Sequence, residues 1–278
     1  MALITVLVAA LSVLARLEPA ETHTLPAETC RGFWLLPVDL QPGEDGAQRR
    51  LWFLHDTGAS RTHVDPDALE RLTGRRFSDD QRVTLTDASA GPLKINALGV
   101  RVTELDHIST ALGREIDGIM SVHALADFLL ILDYPAGEMR IREGALPRPD
   151  GERIFSTRGP DRRPWVRVDL AGRSERLLLD SGAGGLSFAV NRLDRLTLMQ
   201  PPQTYSAAVR FDRIEYRPAA RLNGSARLAG IAFETPVIEQ VERAPLLGGE
   251  ILSHFVITLD QANRRVRLDP AGPGPVAA

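Results

Sequence analysis

Leu51-Trp52-Phe53-Leu54-His55-Asp56-Thr57-Gly58-Ala59-Ser60 is an apolar run that ends abruptly in Asp-Thr-Gly. A second run, Leu177-Leu178-Leu179-Asp180-Ser181-Gly182-Ala183, does the same later in the chain. Each delivers a carboxylate, then a hydroxyl residue, then a glycine, at the end of a buried strand. Holding a charge close to low-dielectric surroundings is costly. Two such turns in one chain therefore point to a pair of carboxylates brought together.

The surrounding order repeats as well. Trp34 to Leu40 precedes the first turn and Trp165 to Leu170 the second, with Val-Asp-Leu in both. Downstream, Ile119 to Ile141 aligns with Leu246 to Leu268 without a gap, and Leu125/Leu252, Phe128/Phe255, Leu132/Leu259, Asp133/Asp260 and Arg140/Arg267 are identical. Asp56 and Asp133 lie 77 positions apart, Asp180 and Asp260 80. The chain reads as an internal duplication whose period is far too long for a solenoid. It predicts an all-β, bilobal fold of two similar barrel-like lobes with short helices. The first lobe is placed at 24–146 and the second at 147–278, meeting in the Gly- and Pro-rich break over 142–164.

Taken in order, Gln41 to Gly46 marks the loop of a hairpin. Asp65 to Arg71 is a short helix with an Asp-Pro start. Val83 to Thr86 and Leu93 to Val102 are strands about a turn at Asp87 to Pro92. A short helix is expected at His123 to Phe128, then strands at Leu129 to Leu132 and Glu138 to Ile141. In the second lobe a short helix is expected within Phe188 to Met199, then strands over Tyr205 to Tyr216 and Ala219 to Phe233, with turns at Pro218 and Asn223-Gly224.

Ala2 to Ala15 is apolar but shorter than the roughly 20 residues that span a bilayer. Residues 1–23 are read as a signal segment and linker, with Val13-Leu14-Ala15 as the cleavage signature. That predicts a periplasmic or secreted protein, soluble or tethered at its N-terminus, without an integral membrane domain. Glu18 to Thr29 is read as a polar linker. The chain has 278 residues, a formal net charge of −3 and one cysteine, Cys30. The charge offers no strong field for nucleic acid, and one cysteine allows no intramolecular disulfide. The six histidines are dispersed and have no zinc-site spacing. Short arginine groups such as Arg75-Arg76 and Arg162-Arg163 are read as solvated surface.

Two carboxylates a few ångströms apart share a proton. One is then a base that takes a proton from water, and the other an acid toward a carbonyl oxygen. This hydrolyses an amide without metal, cofactor or covalent intermediate. On this reading Asp56 and Asp180 are catalytic. Thr57 and Ser181 lock the turns together, and Gly58 and Gly182 give close backbone approach. Ser60 offers its hydroxyl to Asp56, where Gly184 at the matching place offers none.

Asp56-Thr57-Gly58-Ala59-Ser60 and Asp180-Ser181-Gly182-Ala183 resemble the active-site signatures of aspartic proteases. Leu246-Leu247-Gly248, followed by a short helix and a strand ending in Asp260, resembles the segment behind the active site in that family. The short lobes resemble the retropepsin-like type more than the pepsin-like type, joined in one chain. The resemblance covers 31–146 and 152–270 and implies an aspartic endopeptidase, acting as a monomer on a peptide or protein substrate. Ser121 stands where the family prefers Gly, and His55 where an apolar residue usually precedes the Asp. A cationic His55 would lower Asp56, although strand alternation points the two side chains apart. The family closes a hairpin flap over its substrate. The candidates are Thr86 to Leu93 and, in the second lobe, a hairpin around Phe211 to Leu222. The alternative function is a lobe pair that keeps the fold without turnover, as a peptide- or protein-binding module. A serine hydrolase fits poorly, because neither Ser60 nor Ser181 sits in Gly-x-Ser-x-Gly.

Overall fold

The strand that carries the first acid, Arg49–Asp56, is buried on both faces: Leu51 and Phe53 enter the main core, while Leu54 packs outward with Leu35, Leu112 and Ile116. Such a strand needs covering on each side, which explains its nearly continuous apolar sequence. The computed structural model describes residues 21–41, 49–209, 214–272 and 276–277. The apolar segment Ala2 to Ala15 and most of the first hairpin loop lie outside them. Among the described residues no helix is long and apolar enough to cross a membrane.

The fold is all-β and bilobal. In the first lobe Phe33–Leu40 pairs with Arg49–Asp56, which runs parallel to Gly118–Ser121. His63–Val64, Leu93–Val102 and Arg82–Ala90 continue the sheet, and Asp39 facing Ser89 closes it into a six-strand barrel. The second lobe repeats this core. Trp165–Leu170 pairs with Arg173–Leu179, which runs parallel to Leu246–Leu247. The registers agree: His55 faces Met120 and Leu179 faces Leu247.

A six-strand sheet joins the lobes. At its centre Leu129–Asp133 pairs antiparallel with Phe255–Asp260, and Ile131 faces Thr258. Glu138–Arg142 and Arg265–Pro270 flank this pair. The outermost strands are Thr22–Thr24 and Ile154–Ser156, each paired with its own lobe's flanking strand. These correct the sequence reading. The linker before the first lobe and the break before the second each hold the short leading strand of a repeat. Glu28–Cys30 also pairs with Phe33–Leu35. Polar edge strands take their order from ladder hydrogen bonds rather than from burial, so they show no apolar alternation.

The expected first helix spans Pro66–Thr73. Asp65 caps it by accepting from the Asp67 N–H at 2.9 Å, and Gly74 ends it in the left-handed region at φ 67°. Such a cap contributes about 1 kcal/mol. The region after Ser121 is a short 3-10 turn, Val122–Leu125. Within Phe188 to Met199 the short helix is a single 3-10 turn, Leu193–Arg195, and a strand, Phe188–Val190, precedes it. The chain also passes straight through Pro218. Ile214–Arg221 is a strand, and its partner Gln203–Val209 shifts register between Thr204 and Ser206 opposite the proline. A bulge there is how a ladder accommodates a residue without an N–H.

The sequence reading gave no element to 103–117, which contains the helix Asp106–Leu112. Leu112 and Ile108 cover the outer face of the Phe33–Leu40 and Arg49–Asp56 strands. In the second lobe residues 241–245 bridge the same step, and Trp165, Leu186 and Val241 close that face.

Candidate active site

Asp56 ends its strand facing Ser121, and the Asp180 N–H donates to Leu247 O at 3.0 Å. Each acid then enters the same tight turn: Ala59 N–H donates to Asp56 O, and Ala183 N–H to Asp180 O, both at 3.2 Å. The two turns meet face to face. A Cβ built on Gly58 would lie 2.5 Å from Asp180 Cγ, and one on Gly182 would crowd the Asp56 carboxylate likewise. Glycine is required at both places so that each backbone can lie against the opposite acid. The two carboxyl groups are themselves hydrogen-bonded neighbours.

The hydroxyls cross the lobe boundary. Thr57 Oγ1 donates to Leu179 O at 2.6 Å and accepts from the Ser181 N–H at 2.9 Å. Ser181 Oγ donates to His55 O at 2.9 Å and accepts from the Thr57 N–H at 3.0 Å. Both residues are buried, so four reciprocal bonds tie the turns in a water-free setting. Asp56 Oδ1 accepts from the N–H groups of Gly58 at 2.7 Å and Ala59 at 3.0 Å, and Asp180 Oδ1 from that of Gly182 at 3.0 Å. Ser60 does not take part. It is exposed, and Asp56 Oδ1 takes the Gly58 and Ala59 amides.

Burial pushes the Asp56 carboxyl above the usual carboxylate range. The Asp180 hydrogen bond, the two amides and the Arg163 guanidinium oppose that rise without cancelling it. His55 is not the cation that acts on Asp56. It is fully buried, and desolvation lowers it to about 4. Its imidazole is therefore neutral over most of the pH range.

Arg163 is not the solvated surface residue that its sequence suggests. Its Nη1 donates to Gly58 O at 2.9 Å. Its Nε and Nη2 bind Asp161 at 2.9 and 2.6 Å, and its guanidinium lies 5.6 Å from the Trp165 ring centroid. Trp165 Nε1 also donates to Asp161, at 2.9 Å. Burial opposes ionisation of Asp161, yet these bonds hold it at about 2, so it anchors Arg163 throughout. The sequence signal for Arg163 was its place immediately before Pro164 and the strand that leads to the second acid. Tyr134 is a second residue the sequence reading passed over. Its ring meets Trp34 edge-on at 5.2 Å, and burial together with the charges of Asp180 and Asp56 pushes its phenol up.

Behind the second turn, Gly248 has no room for a side chain, because a Cβ would strike the carbonyls of Leu186 and Ala183. Ser121 at the matching place in the first lobe is accommodated by Thr62, whose hydroxyl lies 3.3 Å from Ser121 Oγ and accepts the Ser121 N–H at 3.2 Å.

The first flap candidate is also corrected. Arg82–Ala90 and Leu93–Val102 form a hairpin whose tip points away from the acids. Ser89 faces Asp39, whereas Trp34 faces His55 beside the site. At about 3.3 Å per residue the tip is roughly 17 Å distant. Ala88, Ala90 and Leu93 are buried there, and Gly91 packs on Pro26. In the second lobe, Gln203–Val209 and Ile214–Arg221 form a hairpin whose first strand runs beside the first lobe's Asp106–Leu112 helix. Of the second-lobe candidate, Phe211 to Leu222, the first three residues lie outside the described residues and Ile214–Arg221 is this returning strand.

Asp65, Asp67 and Asp106 bring carboxylate oxygens within 4.8 Å of one another. Asp65 is a helix cap there, accepting from the Asp67 and Leu105 amides at 2.9 and 2.8 Å. A cavity of about 510 Å³ beside it is lined by Arg71, Arg114 and Asp117. It sits at the start of Gly118–Ser121, the end of that strand away from Asp56. No family model and no curated protein matches the chain.

Proposed function

We propose that the chain is an aspartic endopeptidase in which Asp56 and Asp180 activate a water between them. The observation that carries this is the reciprocal docking of the two turns, each glycine lying against the other lobe's carboxylate. Close acids share one proton, so one carboxylate takes a proton from water as it attacks the scissile carbonyl. The other acid protonates the carbonyl oxygen; the first then passes the proton it took from water to the amide nitrogen while the second takes one back from a diol hydroxyl, and collapse of the diol expels the neutral amine. The amides of Gly58, Ala59 and Gly182 fix the carboxyl orientations, so little reorganisation accompanies the charge movement. A peptide extended along the lobe boundary meets strand edges with its backbone. The second-lobe hairpin, which reaches the first lobe's helix, is placed to border that path. Both lobes come from one chain, so a monomer suffices, and neither metal nor cofactor enters. Export directed by Ala2 to Ala15 belongs to the same proposal.

The test is cleavage of a mixed peptide library by the purified chain between roughly pH 3 and 8, read by mass spectrometry, beside Asp56→Asn and Asp180→Asn. A pKa shift of one unit changes the ionised fraction about tenfold, so the profile must change with acidity. Cleavage abolished in both variants supports the dyad. Folded protein that binds peptides without cutting them replaces the endopeptidase with the binding module. Cleavage that survives both substitutions removes the two acids from the chemistry.

A further inference from the structure

We infer that the cleft reads its peptide from two unlike flanks: an acidic side chain at Arg61, beside the first turn, and an aromatic side chain in the space beside Gly185 and Phe33, at the second. This rests on the proposed dyad and names its substrate class: peptides with an acidic residue on one side of the scissile bond and an aromatic one on the other.

The two turns match residue for residue, Asp56-Thr57-Gly58-Ala59-Ser60-Arg61 against Asp180-Ser181-Gly182-Ala183-Gly184-Gly185. They are alike up to the alanine and unlike immediately after it. Five positions past the acid the first lobe presents the exposed Arg61 and the second the exposed Gly185, where an added Cβ meets nothing within 4 Å. The strand before each turn differs in the same sense. Trp34 faces His55, and the Leu179 N–H donates to Pro164 O at 2.9 Å, so Arg163 holds in the second lobe the place of Phe33 in the first. Each crosses to the other lobe's turn. Arg163 Nη1 donates to Gly58 O at 2.9 Å, and a Cβ on Gly184 would come within 2.8 Å of Phe33 Cε2. The first turn thus carries one guanidinium and touches another, while the second carries glycines and touches a phenyl ring.

Two histidines report the field of the first flank. His63, two residues past Arg61, is held low first by burial and then by Arg101 and Arg61, which outweigh Asp80 and Asp79. His123, in the 3-10 turn Val122–Leu125, is held low by burial and then by Arg162, ahead of Asp161. Asp161 is already gripped by Arg163 and Asp80 by Arg101. Arg61 makes no ion pair among the described residues, which leaves its charge for an incoming carboxylate. On the second flank Phe33 is half-buried and packs with Cys30 and Ile108 on one apolar cluster. Arg31, beside them in sequence, donates to Ala111 O at 3.3 Å. The strand Gln203–Val209 runs beside the helix that carries Ile108. A ring entering beside Gly185 leaves water and meets the Phe33 ring, and both effects favour an aromatic residue. An extended peptide rises about 3.3 Å per residue, so residues within a few positions of the scissile bond reach both flanks.

The test is competitive cleavage by the full chain of peptides scanned position by position, with Asp against Lys and with Phe against Ala. Ratios measured on one preparation do not depend on how much of it is folded. The wild type is expected to prefer Asp over Lys about fivefold at one position, as for an exposed ion pair exchanged for a repulsion. That preference is expected to weaken at about 1 M salt, where the screening length falls to about 3 Å. Arg61→Glu is expected to invert it and to leave the Phe-to-Ala ratio in place. Gly185→Leu is expected to lower the Phe-to-Ala ratio about tenfold across the scissile bond and to leave the Asp-to-Lys ratio in place. Equal cleavage within the pairs, or ratios that ignore both substitutions, overturn the inference while cleavage still supports the dyad. If no peptide is cut, the endopeptidase reading falls and the same ratios are read as Kd by fluorescence anisotropy. Affinities that follow Arg61 and Gly185 then keep the inference, and equal affinities or no binding overturn it.

Discussion

Gly58 and Asp180 come from different lobes, yet a single methyl on Gly58 would sit 2.5 Å from the Asp180 carboxyl carbon. Gly58→Ala therefore forces the turns apart at the point where they meet. Overpacking of this kind costs about 1–3 kcal/mol. A displacement of about 1 Å between reacting groups costs on the order of a hundredfold in rate. The variant is expected to fold with a modestly lowered Tm while losing peptide cleavage by that order. Unchanged cleavage would show that the approach is looser than the structure has it.

Thr57 is the residue whose loss separates bracing from chemistry. Its hydroxyl serves Leu179 O and the Ser181 N–H, both buried. Thr57→Val keeps the shape and orphans both groups, at about 1–3 kcal/mol for each. Thr57→Ser retains the hydroxyl and is expected to stay within about 1 kcal/mol of the wild type. Guanidinium unfolding of the three proteins measures the difference. Equal stabilities for Val and Ser would remove the lobe-crossing bonds from the energetics.

His55 makes stability depend on acidity, and the sign follows from its neutral burial. Folded His55 titrates at about 4, the unfolded chain at about 6.5. Between these values the unfolded state binds more protons. The contribution is therefore whole above pH 6.5 and is lost as pH falls toward 4, by about 3 kcal/mol in all. His55→Leu, which places the second lobe's Leu179 chemistry at this site, is expected to flatten that loss. Urea unfolding at pH 7 and 4.5 checks it. An equally steep acid decline in the variant would mean that His55 is not the group responsible.

The acid turns could be read from sequence because their chemistry is local: an apolar strand, a carboxylate, a hydroxyl and a glycine in succession. The Ile119 to Ile141 and Leu246 to Leu268 match is local in the same way, and it becomes the paired centre of the joining sheet. What escaped depends on partners distant in sequence. Thr22–Thr24 and Ile154–Ser156 are ordered by a neighbouring strand, so their own residues look like linker. Arg163 is informative because it reaches Gly58, 105 positions away. The near-equal spacing of the repeats concealed two compensating differences. The first lobe spends residues on the Asp106–Leu112 helix, and the second on the Gln203–Val209/Ile214–Arg221 hairpin. The expectation of a flap at Thr86 to Leu93 comes from the resemblance, and in the first lobe that hairpin closes the barrel instead.

That second-lobe hairpin is fixed at its root by a buried ion pair. Arg217 lies on its returning strand and Glu239 on the neighbouring Val237–Gln240 strand, with Nη1 and Oε2 3.4 Å apart and both side chains less than a tenth exposed. Two charges withdrawn from water lose hydration that their attraction roughly returns, so the pair itself adds little net stability. Breaking it is different, because the remaining charge keeps its desolvation cost. Glu239→Gln is expected to destabilise the chain by about 3–5 kcal/mol. Arg217→Met combined with Glu239→Leu is expected to recover most of that, since neither charge is then left buried. A double-mutant cycle by guanidinium unfolding measures the coupling. If Glu239→Gln costs less than about 1 kcal/mol, other groups around Arg217 take up its charge and this pair does not fix the hairpin root. If the double variant is no better than the single one, packing around Arg217 rather than its charge holds the hairpin.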